Sequence, residues 1–295
     1  MSDSEGVQAS SGQNVGEKTQ CDTVRGGVVR KAFGLDLAGY STGRSALAMA
    51  TVSDNGPPTV TILTGSPFSQ EVCGSDNLPR VREVEVACLQ GLLKEGPLFI
   101  DVPIDLQGLP SPKRQEFVWQ LTKRPVDQAF GGLPPLADKI GACVVRVQYL
   151  WGVPRDRTND PLREKVFETY PAGSLKHAGK KHEKYKGRAR YIEENGSRWQ
   201  PRREDNDRDM TLAELLADLT WTAVGDGFVL THDEFDAALC ALTGVCTQLK
   251  RNGLQQMIAK ELAGFGDSFP VPSSYVLLKQ IPLDVRVCRR HWEEL

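Results

Sequence analysis

Two aspartates stand where a carboxylate is costly. Asp36 lies inside Phe33-Gly34-Leu35-Asp36-Leu37-Ala38-Gly39, and Asp101 inside Leu98-Phe99-Ile100-Asp101-Val102-Pro103. Carboxylates form strands poorly and resist burial without a partner. A single such residue has a bland reading, as a loop cap or an arginine partner. Two of them on neighbouring strands, about 4.8 Å apart, repel unless a cation joins them. A divalent ion is the economical solution, and hard carboxylate oxygens suit Mg²⁺ or Mn²⁺. Thr231-His232-Asp233-Glu234-Phe235-Asp236-Ala237 supplies further acid. Thr231 followed by Glu234 is a capping-box pattern, which starts a helix and puts Asp233 in its first turn, where the helix dipole favours negative charge. Asp236, three residues on, projects from the same face. Asp233 and Glu234 also have a purely helix-stabilising reading; Asp236, past the first turn and beside two alanines, does not. Asp36, Asp101 and either Asp233 or Asp236 are therefore candidate metal ligands and catalytic groups. Such a set suits metal-assisted hydrolysis of phosphodiesters.

A second chemical signal is basic. Lys176, Lys180, Lys181, Lys184, Lys186, Arg188 and Arg190 fall within 15 residues, opposed only by Glu183, with Tyr170, Tyr185 and Tyr191 nearby. Cations with interleaved aromatics suit a nucleic-acid backbone and its bases, and a solvated charged loop is the competing reading. Lys181, Lys184, Lys186 and Arg188 are the candidate substrate-binding residues. The four histidines show no metal-ligand spacing.

These residues need elements to hold them. Strands are expected over 32–38, 45–52 and 59–64, joined by short turns that imply an antiparallel meander. Val81, Val84, Cys88 and Leu92 repeat at helical spacing over 80–93. The apolar run at 98–103, reached through that helix, should lie parallel to a neighbour and be buried on both faces. Segments 115–128 and 136–150 read as mostly helical, 165–171 as a strand, 176–208 as a long surface excursion, 211–223 and 231–249 as helices, and 274–280 as a late strand. The order argues α/β with a mixed sheet.

The bulk numbers bound the partners. The chain has 295 residues, 40% hydrophobic and 25% charged, with a formal net charge of -2. Any basic surface is local. Seven scattered cysteines form no C-x-x-C pair, which indicates neither a zinc site nor a secreted disulfide framework. No signal peptide or membrane span is legible, so a cytoplasmic protein with no membrane partner is expected. Residues 1–27 are polar and almost free of large apolar side chains, the composition of a disordered tail. Nothing in the sequence speaks to oligomeric state.

A strand Asp, a second Asp closing a buried strand and D-x-x-D-A at a late helix start resemble the RNase H-like superfamily. The chain most resembles the uncharacterised family of predicted RNase H-like nucleases (domain of unknown function 429). The matching pieces are GLDLAG, FIDVPIDL, the R-x-x-D of Arg124 to Asp127, VFETYPAGSLK, the YKGR segment, HDEFDAALCALTG and YVLLKQIP. They span about 33–282, with weakly matched stretches between. The resemblance implies one RNase H-like domain over 28–295, built on a mixed five-stranded sheet flanked by helices, with a late extra strand and the basic excursion. It implies that the Asp36 strand is central beside the Asp101 strand, that Asp233 or Asp236 faces both, and that Glu168 is a fourth acid on the next strand. Lys186 falls in the family's lysine segment, and Arg124 joins the substrate side. The superfamily's usual helix glutamate has no clear counterpart; Glu83 and Glu85 are both expected to face solvent. The expected activity is a metal-dependent nuclease acting on DNA, RNA or a hybrid through a two-metal carboxylate site, with Asp36, Asp101 and Asp233 or Asp236 holding one or two Mg²⁺ or Mn²⁺ ions. Two other classes compete. An actin-like kinase or ATPase uses the same sheet, but FIDVPIDL lacks a second glycine-rich phosphate loop. A non-catalytic module binding nucleic acid or protein keeps the acids for structure.

Overall fold

The computed structural model describes residues 29–53, 56–71, 78–104, 127, 140–151, 165–180, 185, 187–193, 197–201, 212–225, 227–249, 275–278 and 280–295. The expected 1–27 tail and most of the expected 115–128 helix lie outside them, as do Arg124, Lys181, Lys184 and Lys186.

The meander forms as its turns predict. β1 (Arg30–Asp36), β2 (Ala46–Val52) and β3 (Thr59–Thr64) pair antiparallel in succession. The expected helix is α1 (Leu78–Glu95), and it returns the chain to β4 (Leu98–Ile100), parallel to β1. β4 is wholly buried, as a strand covered on both faces must be. Helix α2 (Gly141–Trp151) precedes β5 (Val166–Thr169), which lies parallel to β4, and α3 (Pro171–His177) follows.

The expected late strand at 274–280 forms as β10 (Tyr275–Val276), and the sheet is wider than the five strands and one late strand expected. A second late strand, β11 (Arg286–His291), and the two-residue β8 (Thr222–Ala223) extend it to eight, in the order β10-β5-β4-β1-β2-β3-β11-β8. β11 is mostly exposed and polar, so no apolar run announces it. The result is an α/β architecture with a mixed sheet between helices. On one face α1 and α2 bury Cys88, Leu89, Leu92, Val144 and Val147 against Phe33, Leu35 and Ile100. On the other lies α5 (His232–Leu249), reached after α4 (Leu212–Asp218), with Phe235, Ala237 and Ala241 fully buried.

The basic stretch is not a plain surface excursion. Residues 176–177 end α3, and β6 (Arg188–Glu193) and β7 (Ser197–Pro201) join β9 (Val229–Thr231), from later in the chain, in a second sheet of order β7-β6-β9. Tyr191 and Trp199 face inward and share a core with α4 and α5. Period-two alternation hides this, because the inward aromatics are separated by outward polar residues.

Backbone contact sets how α5 sits. A Cβ on Gly34 would overlap the Ala237 carbonyl oxygen, the Ala241 nitrogen and the Cys240 Cβ, and one on Gly244 would overlap the Cβ of Ala32 and the Phe99 ring. The helix therefore rests directly on β1 and beside β4, running against β1, with Gly244 over Ala32 and Cys240 over Gly34. Among the described residues, no helix is long and apolar enough to cross a membrane.

Candidate active site

The parallel register fixes two carboxylates. Leu35 pairs with Ile100, and the Asp101 N–H donates to the Leu35 carbonyl at 3.0 Å, so the ladder runs one residue beyond β4. Asp36 and Asp101 are therefore adjacent positions on neighbouring strands, and their side chains leave the sheet on one face. That face is the α5 face, because Gly34, two residues before Asp36, lies under α5. Pro103 follows and supplies no ladder donor.

The helix adds the third acid. Continuing the pairing of Ala32 with Gly244 and Gly34 with Cys240 brings the α5 N-terminus over Asp36. Both halves of the capping box form: Glu234 N–H donates to Thr231 Oγ1 at 3.1 Å, and Thr231 N–H to Glu234 Oε2 at 2.9 Å. Asp236 is buried, and its Oδ1 accepts a 2.5 Å hydrogen bond from the Tyr185 hydroxyl. Asp233 is more exposed and pairs with His232 at 3.0 Å. Of the two helix acids, Asp236 is the one turned into the site.

Neighbouring groups report the same convergence. Burial pushes the Tyr185 hydroxyl well above its ordinary value, and the carboxylates of Asp236, Asp101 and Asp36 push it further. Burial and the same three carboxylates raise the Cys240 thiol. Tyr170 is raised by burial and by Asp101, Asp236 and Asp127, so the buried Asp127 belongs to the same acidic centre. Cys143, on α2, is raised by burial and by Asp36 and Asp101, with Arg146 acting against them. Asp36, Asp101, Asp127 and Asp236 each make further polar or electrostatic contacts. Among the described residues, no group of three or more His, Cys, Asp or Glu side chains is arranged to hold a metal ion as it stands.

Glu168 goes elsewhere. It pairs with Ile100, whose side chain packs with α1 and α2, and alternation along β5 puts Glu168 on that opposite face. Its Oε2 accepts the Ile104 N–H at 3.2 Å. Glu168 thus leaves the sheet on the face opposite Asp36 and Asp101.

Glu85 corrects a second expectation. Glu83 is exposed, but Glu85 is fully buried and ion-paired with Arg146, which is also fully buried. Arg146 donates as well to the carbonyls of Ala38 (2.7 Å) and Phe68 (3.0 Å) and to Ser45 Oγ (3.1 Å). The Tyr40 hydroxyl donates to Glu85 at 2.8 Å, and the guanidinium lies 4.2 Å from the Tyr40 ring centre. Arg146 therefore grips both ends of the β1–β2 turn that follows Asp36. Helical spacing pointed to Val84 as the buried residue; Val84 is 46% exposed, because the helix face is rotated to admit Glu85. Tyr185, Tyr170, Asp127 and the Arg146–Glu85 pair escaped the sequence reading as site residues. Asp127 left a trace in the R-x-x-D resemblance, and Tyr170 and Tyr185 were read only as aromatics beside the basic stretch.

Comparison with family models, with curated proteins and with solved structures finds no match for this chain.

The Tyr185 hydrogen bond gives a testable pH dependence. Tyr185 holds its proton more tightly folded than unfolded. Its contribution is complete below about pH 10, the ordinary tyrosine value, and is lost as pH rises above it. Tyr185→Phe should flatten the fall of melting temperature between about pH 9.5 and 11 while lowering stability near neutrality. An unchanged alkaline limb would remove Tyr185 from the acidic centre.

Proposed function

We propose that the protein is a metal-dependent phosphodiester hydrolase, a nuclease, with an RNase H-like core. One observation carries the reading: Asp36 and Asp101 are adjacent at the carboxyl ends of parallel β1 and β4, with Asp236 brought over them on the same face. The run β3-β2-β1-β4-β5, antiparallel at first and then parallel, supports the superfamily resemblance. The donor set fits Mg²⁺ or Mn²⁺, since all three groups are hard carboxylates. Asp36, Asp101 and Asp236 would hold the ion, which when bound activates water and offsets charge on the leaving oxygen. Tyr185 orients Asp236 through Oδ1. Arg146 anchors the turn behind Asp36 and so holds that carboxylate at the sheet's end. Asp233 is more exposed than Asp236 and is paired with His232.

The test is a panel of labelled single-stranded, duplex and hybrid oligonucleotides, incubated with and without Mg²⁺ or Mn²⁺, beside an ATP-hydrolysis control. Metal-dependent cleavage of at least one substrate is expected. Binding without cleavage across the panel would favour a passive module, and ATP turnover lost in Asp36→Asn would favour a kinase-like enzyme.

A further inference from the structure

The β7-β6-β9 sheet has one buried face and one open face. Ala189, Tyr191, Trp199 and Leu230 fill the buried side. Alternation turns Arg188 and Arg190 of β6 and Arg198 and Gln200 of β7 to the other side, and all four are exposed. The register pairs Arg190 with Gln200 and Ile192 with Arg198, so the arginines form a row along the sheet. Arg188 to Ile192 is four strand residues, about 14 Å. Among the described residues, neither Arg190 nor Arg198 has an ion-pair partner. The bordering acids are already matched: Glu234 bonds Arg289 at 2.6 Å, and Asp233 faces His232.

The row has a direction. Arg188 pairs with Thr231, the last residue of β9, and α5 starts at the next residue with its carboxylates in the first turns. His232 N–H donates to the Gly187 carbonyl at 3.1 Å, and Tyr185 reaches Asp236 just before β6. One end of the arginine row thus abuts the acidic centre, and the other lies about 14 Å away. The described aromatics of these strands face inward, so the open face presents Arg188, Arg190, Arg198 and Gln200 beside Ile192 and Val229, and among the described residues it has no stacking platform for bases.

We propose that this open face is a docking track for the phosphate backbone of one strand of a nucleic-acid duplex, leading the strand to the carboxylates. The inference rests on the hydrolase reading for what happens at the end of the track, and not for binding. A duplex is the occupant because the face has charge to match phosphates and, among the described residues, no aromatic to hold unstacked bases. A row of about 14 Å covers roughly four base-pair rises of 3.4 Å. The contacts carry no base information, so binding is sequence-independent.

The experiment measures anisotropy of a fluorescein-labelled 20-base-pair duplex against salt, without divalent metal, for the parent, Arg190→Ala/Arg198→Ala and Arg190→Lys/Arg198→Lys. Each phosphate contact removed should reduce the log-log salt slope by about 0.9 on duplex. The alanine pair should therefore lose up to about 1.8, and the lysine pair should retain most of the parent slope. Hydrolysis of bis(p-nitrophenyl) phosphate with Mg²⁺, a diester too small to reach the track, reads the carboxylate centre alone and should be equal in all three proteins. An unchanged slope in the alanine pair, or a parent that does not bind duplex, would overturn the track. A slope lost only on the matching single strand would overturn the choice of duplex. The expected slope loss with no hydrolysis of either substrate would keep the track and remove the hydrolase reading.

Discussion

Asp101→Asn protein should bind duplex as tightly as the parent or more tightly, and should cleave it at least about 10²-fold more slowly at a Mg²⁺ concentration that half-saturates the parent. The substitution keeps shape and removes one charge. Asp101 closes β4 through its own N–H, a bond that asparagine keeps. The half-buried side chain stands beside Asp36 on the face covered by α5, so the fold has little reason to change. One electrostatic stabiliser of a transition state is commonly worth about 10²–10³, and a ligand whose loss weakens ion occupancy should cost at least that. Binding should persist because phosphate contacts lie with the cations, and a repulsive carboxylate has gone. Metal affinity provides the independent readout: titration calorimetry should show weakened Mg²⁺ or Mn²⁺ binding. Full cleavage by the variant would end the proposed role of Asp101.

The second large effect is on stability. Arg146→Met should lower stability by about 3–5 kcal/mol, because it leaves Glu85 buried without its cation. At roughly 2–4 °C per kcal/mol, the melting temperature should fall by about 6–20 °C. Arg146→Met/Glu85→Leu should recover much of the loss, since replacing both members of a buried pair with apolar groups is often neutral. The double variant then separates stability from position. It folds, but the β1–β2 turn has lost its links to Ala38 and Ser45. Its diester hydrolysis should stay well below the parent's despite the restored melting temperature. A double variant with no recovery would mean that the pair stabilises mainly through those backbone links.

What was legible in the sequence follows from how local each signal is. Asp36 and Asp101 stood out because each breaks an apolar strand, and a strand's character is written in consecutive residues. The α5 start was legible because a capping box spans four residues, and both of its bonds form. The choice between Asp233 and Asp236 was not legible, since it depends on His232 and on Tyr185, 51 residues away. Glu85 was misplaced for the same reason: its partner lies on a helix 61 residues later. A carboxylate looks exposed until the matching guanidinium is found. Glu168 was assigned to the site through the family resemblance of its strand, although one residue of register decides which face of a sheet a side chain takes. The basic stretch kept its chemistry while its form was missed, because Tyr191 and Trp199 alternate with the residues that carry the charge.

The seating of α5 on β1 works as a ruler. Two strand residues advance about 6.6–6.8 Å and four helical residues about 6.0 Å, so the two scales stay nearly in step. Gly244 meets Ala32, Cys240 meets Gly34, and Asp236 falls due at Asp36. One residue inserted between Asp236 and Gly244 would swing the carboxylate by about 100° and carry it off the mark. Neither glycine accepts a side chain in this packing, so the helix has little freedom to slide and compensate. A distant relative sharing the site would therefore be recognised less by overall identity than by two fixed intervals, G-x-D on the first strand and D-x₇-G on the late helix.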